Sequence, residues 1–457
     1  MNLPSPAGSP AVGLGVPLSE NTAARPTTVA AVSIVIAVSI LAGLLLFFAV
    51  PMVPRISARS YSTGFADGYN LIAGSIANGT GYRWSADTGE TMVREPGYPL
   101  LLAAIFRLFG EQLEPAQCVN WLLALGIALA LFRLAHHIAE DSRVALLASL
   151  LFLLYPGTLI AESRGGVEIL FIFTASLFML SFYHAVKRGT LPRFFLAGLL
   201  LGATLQVRST PAAFPVLWLL YGCMAARSFR QRFIELRKTV CLVAGMAVVV
   251  TPWVIRNYLL VHKFVPTSAL AGVALQEGQY TCQALSWNGD FYAAGQAAGR
   301  ERGRLAEQLG IHFEGREYFQ VFFDPNDEWR FNNLLFREGR DKYLARPGLL
   351  ATCVARNTVN FWFLGKTFRI TELNVLLQLP LLILAFSGLV FLRKQGQLGA
   401  MLPILIFAGS IFLAHLPLVA EARYSVPVCA FLIIPASVAI FEIGRKLRAQ
   451  SLQEGIS

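Results

Sequence analysis

The sequence predicts an all-helical polytopic membrane protein, and three observations carry that prediction. The chain of 457 residues is 55% hydrophobic and only 14% charged, whereas soluble domains carry about a quarter charged residues. Apolar runs of about 20 residues, the length that crosses a bilayer as helix, recur along it. Its basic residues gather in the short connections of one side, the pattern that marks cytoplasmic loops.

Ten candidate spans follow: 29–53, 115–135, 144–160, 166–186, 194–208, 210–226, 239–258, 374–392, 400–418 and 424–443. The first is too long for a signal-peptide core. Residues 1–28, rich in Pro, Ala, Ser, Thr and Gly, read as a disordered tail. The run 96–110, PGYPLLLAAIFRLFG, is too short to span and contains Arg107. A re-entrant or interfacial helix is expected there.

With a cytoplasmic N-terminus, the inner connections hold fourteen Lys and Arg, while the short outer ones hold Arg164, Arg208 and Arg423. Both termini, including the tail 444–457, then lie inside. The membrane domain is 29–258, completed by the C-terminal spans in 374–443. Two long segments fall on the outer face, 54–114 and 259–373, the second with short helices expected over 297–309 and 327–345. The net charge of +11 is accounted for by this asymmetry and implies no nucleic-acid partner.

Six cysteines are scattered without CxxC spacing or a paired-histidine motif, which argues against a structural zinc site. Cys282 and Cys353 share one outer segment, but free thiols acting as small hydrophobes are the favoured reading. His136 and His137 sit at a cytoplasmic span end and read as interfacial residues rather than metal ligands. No cofactor is specified, and a divalent metal at Asp67 stays open without support.

In the first outer segment, Phe65, Tyr69, Ile72 and Ile76 fall on one face of a helix capped by Ser62 or Thr63 and ended at Asn78-Gly79. Asp67 lies opposite that stripe, on a helix expected to rest apolar side down on the outer surface. On this evidence alone a solvated aspartate complementing a helix dipole is the simpler reading. Arg94 and Glu95 open a Pro-bounded turn, REPGYP, leading to Tyr98 and the short apolar helix. Glu162, Glu168, Arg208, Arg256 in PWVIRN, and Arg423-Tyr424 in RYSVP stand at outer span ends. One such arginine would be a snorkelling anchor. Several, beside carboxylates on the side that disfavours cations, point to a shared anion site. Arginines suit the phosphate of a lipid-linked sugar, and a carboxylate suits proton abstraction from an acceptor hydroxyl.

Taken in order, FADGYN (65–70), REPGYPLLLA (94–103), VEILF (167–171), QVRSTP (206–211), PWVIRN (252–257) and RYSVP (423–427) resemble the GT-C superfamily of membrane glycosyltransferases. The resemblance is to its branch of protein O-mannosyltransferases and lipid A aminoarabinose transferases, which is glycosyltransferase family 39-like. It implies a GT-C-like bundle of about ten transmembrane helices with interfacial helices and a mainly helical outer region. It also implies a hexosyl- or pentosyltransferase of the inner membrane, active on the outer face. The donor would be a polyprenyl-phosphate sugar, and the acceptor a cell-envelope glycan, a lipid such as lipopolysaccharide, or a protein, with inversion at the anomeric carbon. Asp67 is then the catalytic residue. Arg94, Glu95, Tyr98, Arg208, Arg256, Arg423 and Tyr424 serve donor or phosphate binding, and Glu168 and Glu162 are candidates for a second acid. The chain departs from relatives in having Gly68 where many carry a second acid, and Arg-Glu where aminoarabinose transferases have the acid first. The competing readings are an O-antigen ligase or polymerase using polyprenyl-diphosphate glycans, and a non-enzymatic lipid-sugar transporter. The first leaves Asp67 and REPGYP unexplained, and the second lacks polar residues along the spans.

Overall fold

Each of the ten expected spans falls on a helix in the computed structural model, which describes residues 28–49, 67–163, 165–283, 290–311, 313–316 and 319–454. The chain opens with α1 (Thr28–Ala49), α2 (Tyr69–Ala77), α3 (Gly97–Phe109) and α4 (Leu113–Ala139). The third expected span is broken into α5 (Ser142–Leu154) and α6 (Pro156–Ser163), bent by 50°. Tyr155 before the proline is extended, because the Pro156 ring disfavours helical geometry in its predecessor. Then follow α7 (Glu168–Arg188), α8 (Leu191–Leu205), a short turn (Thr210–Ala213) running into α9 (Phe214–Ala225), and α10 (Phe229–Val261). After a long intervening region of mixed structure come α15 (Phe368–Lys394), α16 (Leu398–His415) and α17 (Val426–Glu454).

Among the described residues six helices are long and apolar enough to cross a membrane, or seven if α5 and α6 are one broken span. The remaining expected spans coincide with the shorter apolar helices α1, α8 and α9. The 33 residues of α10 extend about 50 Å, so its first turns, FRQRFIELRK, reach beyond the apolar layer. The central helix is α17, with 78% of its apolar window buried, whereas α10 buries only 17% and turns its side chains outward. The α8–α10 crossing is close because Gly198 and Gly202 meet Leu242, Gly245 and Met246, leaving no room for a Cβ. An aromatic cluster of Phe178, Phe182, Phe194, Phe214 and Phe407 joins α7, α8, α9 and α16.

Between α10 and α15 the chain forms α11 (Ala271–Thr281), α12 (Asp290–Gln308), an antiparallel pair β1 (Phe313–Arg316) and β2 (Phe319–Phe322), α13 (Pro325–Ala345) and α14 (Pro347–Phe363). The two helices expected here match α12 and α13, each longer than expected. Asp324 caps α13 by accepting from the Asn326 amide, with Pro325 in the first turn. Cys282, at the C-terminal end of α11, and Cys353, within α14, form a disulfide, 5.0 Å apart at Cα. The expectation of free thiols at these two positions is therefore corrected. Their side chains share a buried cluster with Leu275 and Tyr343, a proximity that spacing in sequence does not encode.

The segment between α1 and α4 also differs from expectation. The helix begins at Tyr69, not at Ser62 or Thr63; those residues and Phe65 lie outside the described residues. Asp67 and Gly68 both take left-handed backbone angles, φ 58° and 70°, which ends any helix upstream of them. Tyr69, Asn70, Ile72, Ala73, Gly74 and Ser75 are buried, so α2 is covered on several sides by protein rather than resting on lipid.

Candidate functional site

Asp67 is held by the turn that precedes α2, and its carboxylate meets the chain's far end. Arg423, in the turn Ala422–Tyr424 before α17, donates to both Asp67 oxygens, at 2.6 and 3.4 Å. Arg94 donates to the Asp67 carbonyl at 3.2 Å and lies over the Tyr69 ring at 5.2 Å. Tyr69 in turn meets Tyr98 edge to face. Burial alone would push the Asp67 carboxyl up, but Arg423, Arg94 and Arg208 outweigh it and hold it well below the usual carboxylate range. The carboxylate is thus ionised, clamped and 19% exposed.

A second ion pair adjoins the first. Arg208, just beyond α8, reaches Glu168 at the start of α7 at 3.3 Å, with side-chain exposures of 12% and 13%. The Tyr424 ring carries Arg208 on it at 5.4 Å and Arg423 at 5.2 Å, and it stacks on His415. The structure therefore brings Asp67, Arg94, Arg208, Glu168, Arg423 and Tyr424 together at one end of the bundle. It gathers three guanidinium groups around two carboxylates, an arrangement suited to an anionic ligand.

The other expected site residues do different work. Glu95 accepts from the Ser209 amide and hydroxyl and from the Ser268 hydroxyl, at 3.3, 2.8 and 3.2 Å. It ties the REPGYP turn to two neighbouring segments. Arg256 is enclosed by the Tyr82 and Trp253 rings, donates to the Thr91 carbonyl at 2.8 Å, and pairs with Glu90 at 3.3 Å. Its guanidinium braces the segment leading to Arg94 instead of contacting Asp67. Glu162 is 3% exposed on α6, with one carboxylate oxygen lacking a hydrogen-bond partner, and it makes no ion pair with the arginines of the cluster. Of the two candidate second acids, Glu168 is the one joined to the cluster.

Glu328 was not expected. From the first turn of α13 it accepts from the Thr91 hydroxyl and the Met92 amide, both at 2.7 Å, and so fixes the segment that leads to Arg94. Burial pushes its carboxyl up to about 7, beyond what these bonds and Arg256 counteract. In sequence its only signal is DPNDE, which reads as a helix start. Tyr69, Tyr82 and Ser268 had no signal of function. Among the described residues no group of three or more His, Cys, Asp or Glu is arranged to hold a metal ion.

No curated protein matches the chain. A crystal structure of ArnT from Cupriavidus metallidurans bound to undecaprenyl phosphate is similar at 15% identity, covering 87% of this chain and 77% of that one, with a TM-score of 0.38. The segment 93–256, which contains Arg94, Glu95, Tyr98, Glu168, Arg208 and Arg256 but neither Asp67 nor Arg423, matches the family described as dolichyl-phosphate-mannose-protein mannosyltransferase.

Proposed function

We propose that this chain is a membrane glycosyltransferase that moves a sugar from a polyprenyl-phosphate donor to an envelope acceptor, with inversion at the anomeric carbon. The single observation that carries the reading is the clamped Asp67–Arg423 pair, with Arg94 and Arg208 beside it, at one end of a helix bundle. The match of residues 93–256 to a lipid-phosphate-dependent mannosyltransferase family supports the same class. The site would face the outer side of the inner membrane, since the opposite end of the bundle carries the exposed basic loops.

The chemistry follows from the charges. A lipid phosphodiester with one negative charge approaches the arginines and draws Arg423 toward itself. Asp67 loses part of the cation that suppresses its basicity, so substrate binding raises its proton affinity when it is needed. The acceptor hydroxyl then attacks the anomeric carbon from the face opposite the phosphate and passes its proton to Asp67. The bond from that carbon to the phosphate oxygen breaks, and the departing lipid phosphate gains a second negative charge. Arg94, Arg208 and Arg423 stabilise that added charge.

The test uses the purified full chain with polyprenyl-phosphate hexose and pentose donors and membrane extracts as acceptors. Transfer by the wild type and a loss of at least about 100-fold in Asp67→Asn are expected from the usual weight of general-base catalysis. Anomeric configuration in the product, read by NMR, checks inversion. Undiminished transfer by Asp67→Asn would remove Asp67 from the reaction, and retained configuration would replace the base with a nucleophile.

A further inference from the structure

A cavity of about 550 Å³ opens at the end of the bundle opposite Asp67. It is formed where α7, α9 and the starts of α8, α10 and α16 converge, whereas the Asp67 cluster takes the other ends of these helices. Its size falls within the range of small-molecule pockets. Phe194, Trp218 and Leu402 make an apolar wall, and Arg227, Gln231 and Lys238 a polar rim.

Two observations point to an occupant. Trp218 is only 6% exposed, yet its indole N–H has no hydrogen-bond partner. A buried donor left unsatisfied is costly, and a ligand oxygen would satisfy it. The charge of the lining is also unbalanced. Lys238 neutralises Glu235 at 2.6 Å, and Arg227 adds an uncompensated positive charge. Outside the rim, Lys187, Arg188, Arg193, Arg230, Arg232 and Arg237 are all exposed at the same end. The adjoining faces of α9 and α10 present exposed Val216, Leu220, Met224 and Val240, so the mouth borders lipid rather than water alone.

We propose that this cavity is a binding site for an anionic phospholipid of the adjoining leaflet. The phosphodiester sits at Arg227 and Lys238, an oxygen of the head or glycerol accepts from Trp218, and an acyl chain lies on the Phe194 wall. Basic pockets between transmembrane helices bind anionic headgroups by this combination of charge and apolar surface. A free inorganic anion would leave the apolar wall uncovered, which is why the lipid is the occupant named.

The experiment places the full chain in nanodiscs of phosphatidylcholine with or without phosphatidylglycerol and counts retained lipid by native mass spectrometry. The wild type should keep phosphatidylglycerol in preference to phosphatidylcholine. The double variant Arg227→Gln/Lys238→Gln should retain it about thirty-fold less, from about 1 kcal/mol per cation lost. Trp218→Phe, which keeps an aromatic wall and removes the N–H, should weaken retention several-fold and guards against misfolding in the double variant. Excess inorganic phosphate should displace nothing. Equal retention of both lipids, indifference to both variants, or displacement by phosphate would each overturn the proposal. The readout does not involve sugar transfer, so it stands or falls apart from the proposed activity.

Discussion

Arg208 and Arg423 lie at one end of the bundle with side-chain exposures of 12% and 30%, each against a carboxylate. Arg230, Arg232 and Arg237 lie at the other end, exposed. The two sets share a residue type and differ in what the fold does with it. Exposed cations cost little and record which way the chain was inserted. Partly buried cations beside partly buried acids cost desolvation that the pair alone repays poorly. That contrast is why the proposed site is put at the end where the cations are fewer but enclosed.

The sharpest way to break the comparison is to remove one arginine from each end. Arg208→Gln leaves Glu168 enclosed without its partner and withdraws a cation from Tyr424. Breaking an enclosed pair by deleting one partner costs about 3–5 kcal/mol, read as a large fall in melting temperature together with loss of transfer. Arg230→Gln, at an exposed position, should change stability by less than about 0.5 kcal/mol and leave transfer within two-fold, roughly the noise of such comparisons. Equal effects at the two ends would show that enclosure does not distinguish them.

That distinction was only partly legible in the sequence. The spans were, because an apolar run of bilayer length has few alternatives to a helix. The residues of the cluster were also legible as a set, since arginines on the side that disfavours them are conspicuous. Their pairing was not. Asp67 and Arg423 are 356 residues apart, and the stripe of Tyr69, Ile72 and Ile76 extended a helix backward through a position where Asp67 and Gly68 turn left-handed. Arg256 read as a phosphate ligand from its place at a span end, and nothing in the sequence signals that the Tyr82 and Trp253 rings enclose it. Only the fold separates those cases.

A smaller effect tests whether the region between α10 and α15 supports the enclosed end. The Cys282–Cys353 bridge joins α11 to α14 over a separation of 71 residues. Nearby, Arg356 donates to the Cys282 carbonyl, and Asn357 donates to the Leu416 and Leu418 carbonyls just before the Arg423 turn. Cys282→Ser/Cys353→Ser should cost about 2–4 kcal/mol, the usual weight of a bridge closing a long loop. Reductant should lower the melting point of the wild type and leave the double variant unchanged. A bridge of this kind belongs to an oxidising compartment, so alkylation of both thiols in intact cells before any denaturant is added would contradict an outer placement of this region.

The mildest test concerns a buried acid at the same end that lacks the cation Asp67 has. Asp67 is surrounded by Arg423, Arg94 and Arg208 and is held low. Glu328 has two neutral donors, Thr91 and Met92, with Arg256 acting from farther away, and burial prevails, so its carboxyl titrates near 7 against an ordinary 4.5. An acid whose folded value is raised favours the folded state fully below its unfolded value, and that contribution is lost as pH rises through the folded one. Stability should therefore fall between about pH 4.5 and 7 by at most about 3 kcal/mol, the free energy of that shift, and level off above it. Glu328→Gln, neutral throughout, should remove that slope in denaturant titrations across the range, while keeping one acceptor for the 91–92 segment. An unchanged slope would mean that Glu328 stays ionised when folded, drawing its compensation from Arg256. The enclosed end would then be balanced acid against base throughout, and Asp67 would no longer differ from its neighbour in kind.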